Sequence, residues 1–218
     1  MPMHPATAPA DGLRILQEGL ARITGGPGAG GAAPFALESV PLTQTMHPIP
    51  VYTASLPLLV AGQGLAAAVL IGWQYLLLDE SRVVRCADIY PQGSTGQHRF
   101  GSLTNAFAEG MEQAIAVAET LDPVKDPQAS YELRLLRIPP LFVTSLWLKD
   151  LRAAADLFVV VPPAPEPFRP LLDYSEAIFA KMLQDAARRR TATGTASGPR
   201  SGGALSMTPG VPQGPATS

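Results

Sequence analysis

Hydrophobic and polar positions form their clearest pattern in the stretch 65–90, LAAAVLIGWQYLLLDESRVVRCADIY. An apolar run is interrupted by Asp79, Glu80 and Ser81, and residues 82–90 then alternate along the chain. Alternation with a period of two is typical of a half-buried strand, and a short polar break between two such runs indicates a turn. The pattern therefore predicts a β-hairpin at the centre of the fold.

A second hairpin is predicted between residues 131 and 161. Residues 131–138 have strand character, Pro139 and Pro140 interrupt the run, and apolar residues resume over 141–148 and 156–161. Prolines there indicate an edge position or a bulge, because proline cannot donate a hydrogen bond to the ladder. Segment 70–79 (LIGWQYLLLD) aligns with 141–150 (LFVTSLWLKD), an internal echo that fits both a duplication and convergent packing.

Apolar residues recur at helical spacing in three segments, 11–23, 103–121 and 173–190. The stripe of the first helix consists of Leu13, Leu16, Leu20 and Ile23. A helix of about 13 residues is marginal alone in water, so it must pack on its own domain or on another molecule. Both alternatives stay open, and the second makes these four residues candidate partner-binding residues.

Together these elements predict an α+β fold. Its antiparallel sheet of about four to five strands is built from two hairpin-plus-helix units, with the helices packed on one face. Residues 1–34 are predicted to hold the short amphipathic helix and a flexible Gly/Pro linker, and 35–190 to form a single α+β domain. Residues 191–218 are nearly all Thr, Ala, Gly, Ser and Pro, which predicts a disordered tail.

Composition limits the classes of partner. Apolar residues make up 46% of the chain and charged residues 16%, with a formal net charge of −2. Such a chain can bury a core, but its scattered Lys and Arg residues offer no basic stripe, so no nucleic-acid partner is expected. The single Cys86 cannot form an intramolecular disulfide, and residues 1–12 lack a signal-peptide pattern, so we expect a cytoplasmic location.

A membrane span must be weighed for residues 40–78. This stretch carries no formal charge if His47 is neutral, and it exceeds the roughly 20 residues of a span. Prolines at positions 48, 50 and 57 and the turn signal at 62–64 interrupt it. The pattern therefore favours buried strands, with membrane attachment through 51–78 as an alternative.

The sequence lacks motifs for chemistry. His4, His47 and His98 have no partner at metal-ligand spacing, no serine lies in a G-x-S-x-G motif, and the glycine-rich run lacks the ending of a phosphate-binding loop. We therefore predict no metal site, no cofactor and no catalytic residue. The best polar cluster combines Asp88 with a predicted loop at 91–100. Candidate residues of a small-molecule pocket there are Asp88, Gln92, His98 and Arg99.

The element order over residues 11–190 (helix, strands, helix, two strands, helix) resembles the α+β fold of type III secretion chaperones. The resemblance is one of element order, and it implies a homodimer that binds an extended segment of a partner. The missing catalytic motifs, the tethered apolar helix and the predicted tail favour a non-enzymatic protein-binding adaptor, a chaperone-like protein or a structural component of a larger assembly. The alternatives are a small-molecule-binding protein or enzyme with a pocket at Asp88 and Gln92 to Arg99, and a membrane-attached protein.

Overall fold

One mixed β-sheet runs through the protein. The computed structural model describes residues 3–4, 6–25, 48–79, 82–93, 96–126, 128–152 and 155–196. The strands within these ranges are β1 (Met3–His4), β2 (Ile49–Thr53), β3 (Val69–Asp79), β4 (Arg82–Gln92), β5 (Gln97–Thr104), β6 (Tyr131–Ile138), β7 (Val143–Asp150), β8 (Leu157–Val160) and β9 (Asp173–Ser175). The α-helices there are α1 (Gly12–Gly25), α2 (Leu56–Val60), α3 (Ala108–Thr120), α4 (Asp122–Lys125) and α5 (Glu176–Ala196).

The strand order is β5-β4-β3-β2-β6-β7-β8-β9, and the two-residue β1 also pairs with β6. β6 is parallel to β1 and to β2, whereas the other neighbouring strands in the described ranges are antiparallel. The prediction of an antiparallel sheet of four to five strands is therefore wrong. The pattern missed β5, whose Gly and Ser suggest a loop, and β9, whose Asp173 suggests a helix cap.

Two successive units build the sheet. The first unit is the antiparallel meander β2–β5 followed by α3, and the second unit is the meander β6–β9 followed by α5. They meet side by side at the parallel pair β2 and β6. Each unit thus holds four strands where the sequence predicted a hairpin.

Helices α3 and α5, which follow the two meanders, lie on opposite faces of the sheet. α3 packs on a core that includes Leu135 and Val159, whereas α5 packs on a core that includes Leu136 and Phe158. Successive strand residues point to opposite faces, so the prediction that all helices pack on one face is wrong. A parallel central pair with α3 and α5 on opposite faces is the arrangement that a rotation by half a turn about an axis along the strands would produce.

Helix α1 also packs on the face opposite α3. Its Leu16 and Leu20 are buried against a cluster that includes Tyr75, Leu77 and Ile89 on β3 and β4. α1 therefore docks on its own sheet, over the strands of the first unit.

Several predicted boundaries need correction. The helix predicted over 103–121 begins at Ala108, because Leu103 pairs with Ala87 in the sheet. The helix predicted over 173–190 begins at Glu176 and continues to Ala196, past the predicted start of the tail. The predicted linker begins at Thr24, but α1 continues to Gly25. The rest of the predicted linker, 26–34, and the rest of the predicted tail, 197–218, lie outside the described residues.

The uncharged stretch 51–78 holds the end of β2, helix α2 and most of β3. Among the helices that the structure describes, none combines the length and the apolar character needed to cross a membrane.

Candidate ligand-binding cavity

A cavity of about 610 Å³ opens between the two units, on the face of the sheet that carries α3. Its volume falls within the range of about 300–1,000 Å³ that is typical of small-molecule sites. The residues that line it come from β4, β5, the start of α3, β6 and β7 with the turn between them, and the segment after β8. They are Asp88, Ser102, Thr104, Phe107, Arg137, Pro139, Phe142, Val143, Thr144, Pro163, Ala164 and Pro165. We call this space the interunit cavity.

A hydrogen-bonded carboxylate forms the polar part of the interunit cavity. Oδ2 of Asp88 accepts hydrogen bonds from Arg137 Nη1 at 3.0 Å, Ser102 Oγ at 3.1 Å and the Tyr90 hydroxyl at 3.3 Å. Oδ1 accepts one from Gln74 Nε2 at 3.3 Å. Burial, and then the charge of Asp88, raises the pKa of Tyr90, so its hydroxyl keeps the proton that it donates.

Arg137 connects the two units across the sheet. It extends from β6 to Asp88 on β4, although β3 and β2 lie between these strands. Strands lie about 4.8 Å apart, so the contact requires a strongly coiled sheet and a long side chain. Within the described residues, Arg137 Nη1 donates to Asp88, and the Tyr90 hydroxyl is a second side-chain partner of the guanidinium. These partners are fewer than the five N–H donors that a guanidinium carries.

Gln74 adds a buried acceptor behind Asp88. Its amide donates to Asp88, which fixes the orientation of the group, and its Oε1 has no hydrogen-bond partner in the described part of the chain. A buried acceptor without a partner costs about 1–3 kcal/mol. Gln74 and Asp88 are paired residues of β3 and β4, so this oxygen belongs to the same polar cluster.

Phe142 stands at the rim of the interunit cavity in a strained backbone conformation. Its φ of 55° and ψ of 33° lie in the left-handed region, and it ends the 3-10 turn Pro139–Leu141. This region costs a residue other than glycine about 1–2 kcal/mol. The side chain is also 72% exposed, so burial of the ring does not offset the cost. The left-handed conformation thus holds an exposed aromatic ring beside the cavity.

The cavity exists because the connections within the two units differ in length. In the first unit the β2–β3 connection includes α2, which packs on α5, and Gln184 on α5 donates to the Val60 carbonyl at 3.2 Å. In the second unit the β6–β7 connection is the short turn at 139–142. It leaves the corresponding space beside the start of α3 open, between Phe107 and Phe142.

The structure separates the four predicted pocket residues. Asp88 lines the interunit cavity, whereas Gln92, His98 and Arg99 line a depression of about 350 Å³ beside α1. His98 contacts the Trp73 ring and its Nδ1 lies 2.7 Å from Asp11 Oδ1, on the face opposite Asp88. The predicted loop is in fact part of the β4–β5 hairpin. Alternation along the strands puts His98 on the face opposite Asp88, whereas Gln92 and Arg99 are separated from Asp88 by their position further along the hairpin.

The predicted partner-binding stripe is also divided. Leu16 and Leu20 are buried on the sheet, while Leu13 and Ile23 remain 51% and 45% exposed. Half of the stripe is therefore occupied within this chain, and the other half is accessible on the outside of α1.

The sequence pattern did not identify three residues of the interunit cavity, Arg137, Phe107 and Phe142. An arginine within the apolar series of β6 and a phenylalanine after two prolines were the available signals. Neither signal indicates that these residues meet Asp88, because the contact joins strands that are distant in the sequence.

Two searches bear on the chemistry of the protein. Within the described ranges, no three His, Cys, Asp or Glu side chains are close enough together to hold a metal ion. Comparison of the chain with protein-family models, with curated proteins and with solved structures gave no match.

Proposed function

We propose that this protein binds a small organic molecule in the interunit cavity without changing it chemically. The observation that carries the proposal is the combination of a largely apolar wall with one buried, hydrogen-bonded polar cluster, Asp88 and Arg137. Small-molecule sites have this composition, in which the wall supplies affinity and a few polar groups fix the orientation.

The state of the polar groups supports binding over catalysis. Asp88 is paired with Arg137 and accepts four hydrogen bonds, which makes it a poor general base. Ser102 donates to Asp88, whose carboxylate is already paired with Arg137, and His98 lies on the opposite face of the sheet. Cys86 is fully buried, and burial raises the pKa of its thiol to about 12. A thiol in that state is not a nucleophile at neutral pH.

A substitution that fills the interunit cavity tests this proposal. Thr104→Trp places an indole in the interunit cavity, from a strand position that tolerates aromatic residues. We expect this variant to lose the thermal stabilisation that cavity ligands from a fragment library give to the wild type. Ile178→Trp, at an exposed position on α5, is the matched control, and we expect it to keep the thermal stabilisation by these ligands. Equal stabilisation of both variants by every ligand would contradict the proposal.

A second candidate function is contact with another copy of this chain through α1. The exposed Leu13 and Ile23 lie on its outer side, and α1 contacts β5, which is the last strand on that side of the described sheet. A homodimer is also what the resemblance to type III secretion chaperones implies. The expected cytoplasmic location belongs to the same proposal, supported by the free thiol of Cys86.

Sedimentation velocity tests the second candidate. We expect the wild type to dimerise at micromolar concentration and the double variant Leu13→Glu, Ile23→Glu to stay monomeric. Gln17→Glu adds a carboxylate at an exposed polar position of the same helix and should leave dimerisation intact. A wild type that is monomeric at every concentration would rule this function out.

A further inference from the structure

We infer that the ligand of the interunit cavity is an uncharged, mainly apolar molecule whose carbonyl-type oxygen accepts hydrogen bonds from Arg137. The inference rests on the proposed binding of a small molecule, and it names the chemical class. Three features support it: the charge of the lining, the balance of donors and acceptors, and the wall.

The lining has no net charge. Asp88 and Arg137 are the only charged side chains among the described residues that line the cavity, and they pair at 3.0 Å. Asp88 is almost fully buried, and the exposed fraction of the Arg137 side chain is 19%. A charged ligand would leave one charge uncompensated beside an apolar wall, which is costly. A carboxylate ligand would also compete with Asp88 for the same guanidinium. An uncharged ligand avoids both costs.

At the cavity wall the charged pair offers donors, whereas its acceptor sites are occupied; the unpaired Oε1 of Gln74 lies behind Asp88, and Gln74 is not one of the lining residues. A carboxylate has about four lone-pair sites, and Asp88 receives hydrogen bonds from four groups. A guanidinium has five N–H donors, and its side-chain partners in the described residues, Asp88 and Tyr90, are fewer than that. A ligand that brings an acceptor therefore finds a fixed donor, whereas a ligand that brings only donors finds an occupied carboxylate.

The wall favours a flat apolar body. Phe107 and Phe142 supply aromatic rings, and Pro139, Pro163 and Pro165 supply rigid rings around them. Rigid rings lose little conformational entropy on binding. The carbonyl group thus gives orientation at Arg137, and the body of the molecule gives contact area against the rings.

Three fluorescent probes with one shared body test the inference. Prodan is an uncharged dimethylaminonaphthalene ketone, dimethylaminonaphthalene lacks the carbonyl group, and dimethylaminonaphthoate carries a carboxylate in its place. We expect prodan to bind the wild type roughly ten- to hundredfold more tightly than dimethylaminonaphthalene, the ratio typical of a hydrogen bond to a charged donor. Dimethylaminonaphthoate should bind more weakly than prodan. Thr104→Trp should weaken the binding of all three probes.

Arg137→Lys identifies the donor. Lysine keeps the charge opposite Asp88 but loses the fork of N–H groups, so we expect the preference for prodan to fall to within about threefold of dimethylaminonaphthalene. The affinity for dimethylaminonaphthalene should not change. Should Arg137→Lys fail to fold, the neutral pair Asp88→Asn, Arg137→Met serves the same purpose.

The outcomes separate this inference from the proposed function. The inference is overturned if dimethylaminonaphthoate binds most tightly, or if prodan and dimethylaminonaphthalene bind equally well. In either case, the cavity remains a ligand site if Thr104→Trp blocks the binding. A preference for prodan that survives in Arg137→Lys also overturns it. If no probe binds, or if Thr104→Trp affects none of them, the proposed function fails as well.

Discussion

Phe142 has a backbone conformation that suits glycine and a side chain that suits a ligand. Glycine populates the left-handed region freely, whereas alanine keeps the Cβ atom that makes it costly. We expect Phe142→Gly to exceed Phe142→Ala by about 1 kcal/mol in the free energy of unfolding, measured by urea denaturation. Both variants should bind prodan several-fold more weakly than the wild type, because both lose the ring.

The comparison of these two variants isolates the contribution of the backbone conformation at Phe142 to the free energy of unfolding. Both remove the same ring, whose 72% exposure means that little buried surface is lost. Equal stabilities of the glycine and alanine variants would show that the conformation at Phe142 is not strained. Unchanged binding of prodan would remove Phe142 from the site.

The thiol of Cys86 should be unreactive in the folded protein. Burial raises its pKa from the ordinary value of 9.0 to about 12, with Asp88 adding to the increase and Arg137 opposing it. At pH 8 we therefore expect no reaction with Ellman's reagent in the native state, and a complete reaction in urea. Above about pH 9 the unfolded thiol ionises while the folded one does not, so the free energy of unfolding should fall as the pH rises. Cys86→Ala should lack that component of the pH dependence.

At the scale of elements, α1 depends on a close approach to the sheet. Gly19 faces Phe100 on β5, and a Cβ atom at Gly19 would overlap the Phe100 side chain. Alanine improves intrinsic helix stability by about 1 kcal/mol, yet we expect Gly19→Ala to lower the free energy of unfolding, because the helix must move off the sheet. In a Phe100→Ala background the same change should be stabilising, which a double-mutant cycle in urea can measure. Additive effects would show that Phe100 does not impose glycine at this position.

The elements that the sequence predicted well are those with one strong local signal. Tyr131–Ile138 is confirmed as a strand, and α1 begins one residue after its predicted start. β5 was missed because an edge strand with exposed positions needs no apolar alternation. The acidic pattern at Asp173 and Glu176 predicted a helix start, but Asp173 pairs with Val159 in the sheet, and the helix begins at Glu176.

At the scale of the whole molecule, the candidate site could likewise be predicted only where a residue has a local sequence signal. Asp88 was predictable as an acid in an apolar strand, whereas its partner Arg137 approaches it from the other unit across two intervening strands. Such a contact depends on the coiling of the sheet and on the parallel pair β2 and β6. Neither follows from local periodicity, so the cavity could not be predicted before the fold was known.

The two units share one core, so we expect them to unfold together. The cluster beneath α3 combines Leu76 and Met111 of the first unit with Leu135 and Val159 of the second. Neither unit could keep these residues buried without the other. The Asp88–Arg137 pair adds a contact across the same boundary, and its loss would leave a buried charge unpaired.

The chain contains two tryptophans, and one lies in each unit: Trp73 on β3 and Trp147 on β7. Trp147→Phe leaves a fluorescent probe in the first unit, and Trp73→Phe leaves one in the second. In each variant we expect the urea midpoint and slope of tryptophan fluorescence to coincide with those of far-ultraviolet circular dichroism, as two-state unfolding requires. The comparison is made within each variant, because loss of the 2.8 Å hydrogen bond from Trp147 Nε1 to Asp156 lowers stability in one of them. A fluorescence transition that precedes the loss of dichroism would show that one unit opens alone, and the shared core would then not be cooperative.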